Sequence, residues 1–279
     1  MMAGVNKNKF TLVLLYLFLS ILAVAAVFPL IWIILSSFKS SGEMASHPLS
    51  FFPQELTFEY YSRVLNNLNF TTNIKNSLIV SLCATLITIV VSSLGAYGIV
   101  RFFPRTGKKM TKLLITTYMF PPILLAVPYS IIIIKIGLVN TWTGLVITYL
   151  SFSIPYAIWM LIGFFQTVPL EIEEAARVDG AGKLRVFLQV VLPVVAPGVV
   201  ATAIYTFINT WNEFLFALLL INSSEKMPIS VALYSLTGSE ILDWGEMMAA
   251  SVIVILPSVV FFMLIQKKIA GGLAEGSVK

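Results

Sequence analysis

Six stretches of this 279-residue chain are each long and apolar enough to cross a bilayer, and nothing else in the sequence constrains the fold as strongly. They are Phe10–Phe38, Ser77–Val100, Leu113–Ile134, Trp142–Phe165, Val194–Ile221 and Met247–Ile265. A membrane-crossing helix takes about 20 residues. Backbone in lipid must satisfy its own hydrogen bonds, and these runs are continuous rather than alternating, so they predict helices. Composition agrees: 58% of residues are hydrophobic and 11% charged, whereas a soluble domain carries roughly 25% charged residues. The expectation is an all-α integral membrane protein with six transmembrane helices.

The first run imitates a secretory signal peptide, with Lys7 and Lys9 ahead of an apolar core and Ala23-Val24-Ala25 as a cleavage-like site. The apolar run continues to Leu35, however, which favours a retained anchor. Orientation follows from Lys and Arg, which concentrate on the cytoplasmic side. With the N-terminus inside, Lys7, Lys9, Arg101, Arg105, Lys108, Lys109, Lys112, Arg177, Lys183, Arg185, Lys267, Lys268 and Lys279 are internal. Only Lys39, Arg63, Lys75, Lys135 and Lys226 are external. Both termini are therefore predicted to be cytoplasmic. The net charge of +5 is read as this orientation signal, and no nucleic-acid partner is expected. Residues 1–279 read as a single membrane domain, with an outer loop at about 39–76 and a cytoplasmic loop at about 167–193. In the outer loop, Thr57 is expected to cap a short helix with Phe58, Tyr61, Leu65 and Leu68 on one face.

One Cys (Cys83) and one His (His47) rule out an intrachain disulfide and argue against a multi-ligand zinc site, so no metal is expected. No Ser-His-Asp set, Cys-His pair or catalytic carboxylate pair can be assembled, which argues against an enzyme.

The segment "EEAARVDGAGKLRVFLQVVLP", Glu173–Pro193, is a charged island in this oily chain. It reads as two short helices around a glycine turn. Pro169 suits a first helical position, Glu171, Glu173 and Glu174 complement the dipole of the first turns, and Gly180 can end the helix in the left-handed region. Ala175 and Ala176 would let the backbone seat closely in a groove on another protein. The plainer reading is a solvated loop. A nucleotide site is excluded: "DGAGKL" has Arg177 where a phosphate-binding loop needs its first glycine and Leu184 where it needs Ser or Thr.

The spacing Glu174-Ala175-Ala176, Gly180, Val190 and Leu192-Pro193 resembles the EAA motif of ATP-binding-cassette importer permeases, with Val190 in place of the usual Ile. "MFPP" at Met119–Pro122, "GLVNTWTGLVITY" at Gly137–Tyr149, "WNEF" at Trp211–Phe214 and the tail "GGLAEGSVK" are similar to the carbohydrate-uptake branch, and within it to the smaller maltose-type subunit. The resemblance implies the type I importer permease fold. It further implies that Glu174, Ala175, Ala176, Asp179 and Gly180 belong to a coupling helix docked on a separate ATPase. The implied partners are a homologous second permease, forming a heterodimer, two ATP-binding-cassette ATPase subunits and an extracytoplasmic sugar-binding protein. This chain would bind no cofactor, ATP and Mg being used by the ATPase. The implied mechanism is alternating access for a mono- or oligosaccharide.

One acidic residue lies inside a predicted span. Asn209, Asn212 and Glu213, at i, i+3 and i+4, would share one helical face, flanked by Trp211 and Phe214. A carboxylate at this depth needs a cavity, a partner or a compensating group. The five residues could line a sugar path, glue two subunits together or cap a helix break. The resemblance weakens the path reading, because maltose-type systems can place substrate contacts mainly on the larger sister subunit. Pro121 and Pro122, with Pro128, interrupt the third span and could be hinges or static bends. The rival functions are an importer permease for an organophosphate or amino-acid derivative, and a secondary carrier. The carrier lacks the expected set of intramembrane charges.

Overall fold

The computed structural model describes residues 9–103, 105–238 and 243–276, and side chains within 11–66, 68–103, 105–238 and 243–264. Lys7 and Lys279, used in the orientation argument, lie outside the described residues, as do the side chains of Lys267 and Lys268. Every regular element among the described residues is helical. In order they are α1 (Lys9–Ser36), α2 (Ser41–Ser46), α3 (Glu59–Ser62), α4 (Phe70–Phe102), α5 (Gly107–Tyr118), α6 (Pro122–Lys135) and α7 (Trp142–Gln166). Then come α8 (Leu170–Val178), α9 (Lys183–Val186), α10 (Leu192–Val194), α11 (Ala196–Trp211), α12 (Leu215–Leu220), α13 (Ile229–Ser235) and α14 (Trp244–Gly276). Wide π turns continue α3 at Arg63–Asn67 and join α9 to α10 at Phe187–Val191.

Within Thr11–Ser36, α4, α7 and Trp244–Leu264, four helices are long and apolar enough to span a membrane. Two bent pairs raise that number to six if each pair is one span: α5 with α6, at 89°, and Lys183–Val194 with α11, at 79°. The 89° bend falls inside the third apolar run, whereas the 79° bend falls at the start of the fifth, which is interrupted instead between Trp211 and Leu215. The first bend follows from Pro121 and Pro122. A residue preceding proline is pushed out of the helical region, and Pro121 stands extended at φ −60°, ψ 123°. Pro29, Pro128, Pro155 and Pro257 sit inside helices that continue through them.

The chain forms two compact units. In the first, residues 1–69 and 236–254, Asp243 caps α14 by accepting from the N–H groups of Gly245 (2.9 Å) and Glu246 (3.2 Å). Around α3, Tyr60 and Val64 are buried, while Phe58 and Leu68 are exposed. Thr57 accepts from the Glu59 N–H (3.1 Å) just ahead of α3. The aromatic ring of Tyr60 lies against Gly245, in the space a Cβ there would need.

The second unit, residues 70–235 and 255–279, is organised by α4 against α7. Ala84, Thr88, Ser92 and Ala96 recur every fourth residue on α4 and are completely buried. Small residues at that spacing let membrane helices approach closely. At one end, Asn140 adopts φ 57° and its side-chain oxygen accepts from the N–H groups of Asn222 and Ser223 (both 3.1 Å). Asn76 and Asn73 on α4 donate to the Met227 carbonyl (3.0 and 2.8 Å), so one loop is tied to both helices.

Candidate functional site

At the other end of α4 lies the charged island. Helix α8 ends in a complete Schellman motif: Gly180, at φ 86°, donates to the Arg177 carbonyl (3.0 Å) and Ala181 donates to Ala176 (3.0 Å). Glycine is the residue that takes this left-handed conformation without strain. Pro169 is the cap residue just ahead of the helix, one position earlier than the sequence suggests. Glu174, Ala175, Asp179 and Gly180 are exposed. Ala176 is half-buried and packs, with Ala181, against this chain's own core of Tyr97, Phe165, Val186 and Phe187. The outward surface is apolar at Leu170, Ile172, Val178 (88% exposed) and Leu184 (64% exposed).

Sequence reasoning missed what lies beneath α8. Glu173, read there only as a favourable charge in a first turn, is 0% exposed. It accepts from the Tyr97 hydroxyl (2.7 Å) and the Arg101 Nε (2.5 Å), and Arg177 lies 3.5 Å away. Arg101 also donates to the Val168 carbonyl (2.7 Å), at the junction of α7 and α8. A buried charge must be paired, and here two helices supply the partners. The available signal was Tyr97 and Arg101 four residues apart, polar groups on one face at the end of an apolar helix.

A cavity of about 700 Å³ lies within the same unit, walled by α5, α6, α7 and the end of α11. Pro121, Pro122, Asn209 and Glu213 line it, together with Thr116, Thr117, Tyr118, Phe120, Tyr129, Ser151, Phe152 and Phe216. The structure thus brings Asn209 and Glu213 to the proline bend, which the sequence does not show. Tyr118 hydrogen-bonds Tyr205 (3.1 Å), whose ring stacks on Tyr156 at 4.3 Å.

The shared helical face of Asn209, Asn212 and Glu213 does not form, because α11 stops at Trp211. Asn212 is the C-cap residue and reaches Ser258 (3.2 Å) rather than the cavity. Trp211 is 1% exposed, a core residue stacked on Phe207. Phe214 precedes α12 and packs edge-on against Tyr234. Glu213 occupies the break. Its carboxylate accepts from the N–H groups of Phe216 (2.9 Å) and Ala217 (3.1 Å), and the buried Tyr149 hydroxyl pairs with it. Ser230 donates to its carbonyl (2.7 Å). The Leu215 N–H also faces the carboxylate, and a carboxylate has about four acceptor positions, so little capacity is left for a further partner. Of the readings open from sequence, capping a helix break describes the observed geometry.

Several apolar helices, a cavity at a helix break and an exposed helix–glycine–helix element held on the bundle define the membrane subunit of a transport system. Residues 88–274 match the family of binding-protein-dependent transport system inner membrane components, and the chain belongs to that family. It is 35% identical to the trehalose/maltose transport system permease protein MalG of Thermococcus litoralis, covering 93% of this chain and 94% of that one. It is 33% identical to the inner membrane ABC transporter permease protein YcjP of Escherichia coli (98% and 99%). The diacetylchitobiose uptake system permease protein NgcG of Streptomyces coelicolor is also 33% identical (92% and 85%). Among solved structures, a bacterial ABC transporter involved in import of the acidic polysaccharide alginate shares the fold, with TM-score 0.81, 21% identity and coverage of 96% and 99%. This is a multi-pass membrane protein and a permease of the ABC type.

Proposed function

We propose that this permease forms half of the translocation path of an ATP-driven importer of mono- or oligosaccharides. Residues 1–279 serve as one permease domain with six spans, each bent pair counting as one, and both termini in the cytoplasm. Helix α8 docks on an ATP-binding-cassette ATPase. The observation that carries this reading is the apolar outer surface of α8 and α9, Leu170, Ile172, Val178 and Leu184, on an element otherwise held firmly by its own chain. A solvated loop would have no use for four exposed aliphatic side chains within fifteen residues of chain. A second permease of the same family completes the path, two ATPase subunits bind ATP and Mg, and an extracytoplasmic binding protein delivers the sugar. ATP binding draws the docking helices together and opens the path outward; hydrolysis resets it inward. Sugar is the preferred substrate class because trehalose/maltose and diacetylchitobiose name two of the relatives. The cavity at Pro121–Pro122, with Asn209 and its ring of Tyr118, Tyr129 and Phe152, is this subunit's contribution to the path.

The test is Val178→Asp in the co-expressed complex. A charge at a position 88% exposed leaves membrane insertion and pairing with the second permease unchanged. Buried in an ATPase cleft it would lack a partner, so ATPase subunits should be lost from the purified complex and uptake of trehalose or maltose abolished. Full ATPase recovery with normal uptake refutes the docking assignment.

A further inference from the structure

The contacts around Glu173 bear on how movement of α8 reaches the membrane helices. Only Thr167–Pro169 connects α8 to α7, and no covalent link joins α8 to α4. The polar links between α8 and α4 converge on one carboxylate. Glu173 is completely buried and bonds two residues of the last turns of α4, Tyr97 and Arg101. Arg101 is itself 12% exposed in its side chain and bridges onward to the Val168 carbonyl. The Tyr97 ring is wedged between Phe165 of α7 (5.9 Å) and Phe187 of the π turn after α9 (5.0 Å). Four segments thus meet at one ion-paired carboxylate. Charge-assisted hydrogen bonds are shorter and about twice as strong as neutral ones. A buried charge stripped of its partners is costly, so the carboxylate resists separation from α4 where an apolar contact would slide.

We propose that Glu173 is a positioning residue: a latch to Tyr97 and Arg101 that makes α8 and the end of α4 move as one body, so that displacement of α8 is delivered to α4 as well as α7. The proposal rests on reading α8 as the ATPase-docking helix. It assigns the coupling to a residue whose side chain faces inward, rather than to the exposed Glu174.

The experiment uses the full complex of this chain with its second permease and ATPase subunits. Amide hydrogen exchange is followed with and without a non-hydrolysable ATP analogue and Mg. In the wild type the analogue should change protection both at 170–178 and at 97–102. In Glu173→Gln, which keeps the shape but removes the charge and replaces one of the two accepting oxygens with an NH2 donor, the response at 170–178 should persist while that at 97–102 falls at least threefold. Tyr97→Phe, which removes one bond, should give an intermediate loss. A merely structural role would alter protection at 97–102 without the analogue and leave the analogue-induced change intact. A wild-type response at 97–102 in Glu173→Gln overturns the latch. If that variant does not assemble, Tyr97→Phe decides by the same criterion. Absence of any response at 170–178 in the wild type would instead count against α8 as the docking helix.

Discussion

Replacing Glu213 separates a helix cap from a substrate contact, because loss of a cap lowers the melting temperature whereas loss of a contact lowers uptake alone. The carboxylate accepts from the N–H groups of Phe216 and Ala217, the first orphan donors of α12. Each buried donor left without an acceptor costs about 1–3 kcal/mol, and loss of an N-terminal cap costs about 0.5–2 kcal/mol. Glu213→Ala orphans both donors, a loss of about 2–4 kcal/mol. Glu213→Gln keeps one oxygen in place, and about half of that loss is expected. For chains approaching this size, 1 kcal/mol moves the melting temperature by about 2–4 °C. The Ala variant should therefore melt on the order of 5–10 °C lower, with Gln between it and the wild type. The assay is thermal unfolding of the detergent-purified complex, with sugar uptake measured in parallel on the same preparations. Uptake should follow the fraction folded. Identical melting temperatures for all three proteins would refute the cap. Loss of uptake at an unchanged melting temperature would make Glu213 a path residue instead.

Two further outcomes concern the unit formed by residues 1–69 and 236–254. Gly245→Ala forces a methyl group into the Tyr60 ring. Overpacking of this kind costs about 1–3 kcal/mol, readable as a lower melting temperature that Tyr60→Ala in the same chain partly restores. Burial, then the charges of Asp243 and Glu59, push the Tyr60 hydroxyl up to about 12, with Arg63 opposing. An unfolded tyrosine ionises near 10, so between pH 10 and about 12 the unfolded chain has lost a proton that the folded chain keeps. Stability must fall as pH rises through that window. The fall should be shallower in Tyr60→Phe, compared by unfolding midpoints at pH 9 and pH 11.

What could be read in the sequence was whatever depends on a property of one segment. Apolar length gave the helices: the run Ser77–Val100 lies within one helix, which begins seven residues earlier, at Phe70, in the stretch read as loop. The spacing around Gly180 gave a left-handed helix stop that the structure closes with two hydrogen bonds. Properties that require two segments were misread or missed. That Ala176 also packs on its own chain was missed, because Tyr97 and Phe165 of the cluster it meets come from other helices. Glu173 looked like one of three equivalent acids, yet it alone is turned inward, because Arg101 waits at the end of another helix. Asn212 and Glu213 looked like one face with Asn209 because periodicity assumes a helix that does not stop. The stop comes from a carboxylate that satisfies the next helix, an option periodicity does not weigh.

The two interruptions have a common consequence. At Phe120–Pro121 the chain bends because proline expels its predecessor from the helical region. At Asn212–Phe214 it breaks because Glu213 starts a new helix. Each frees backbone groups from the regular ladder. Inside a membrane such backbone is tolerated only where protein buries it or a water-filled cavity borders it. Pro121, Pro122 and Glu213 line one cavity, so the two disturbances meet the same requirement in the same place. They also share a wall: Phe216, the residue Glu213 caps, packs edge-on against Tyr129 of α6, the helix that leaves the proline bend. A shift of α6 about that bend must therefore press on the first turn of α12. The proline pair and Glu213 are about ninety residues apart in the chain, and the packing of α6 on α12 helps to make them neighbours.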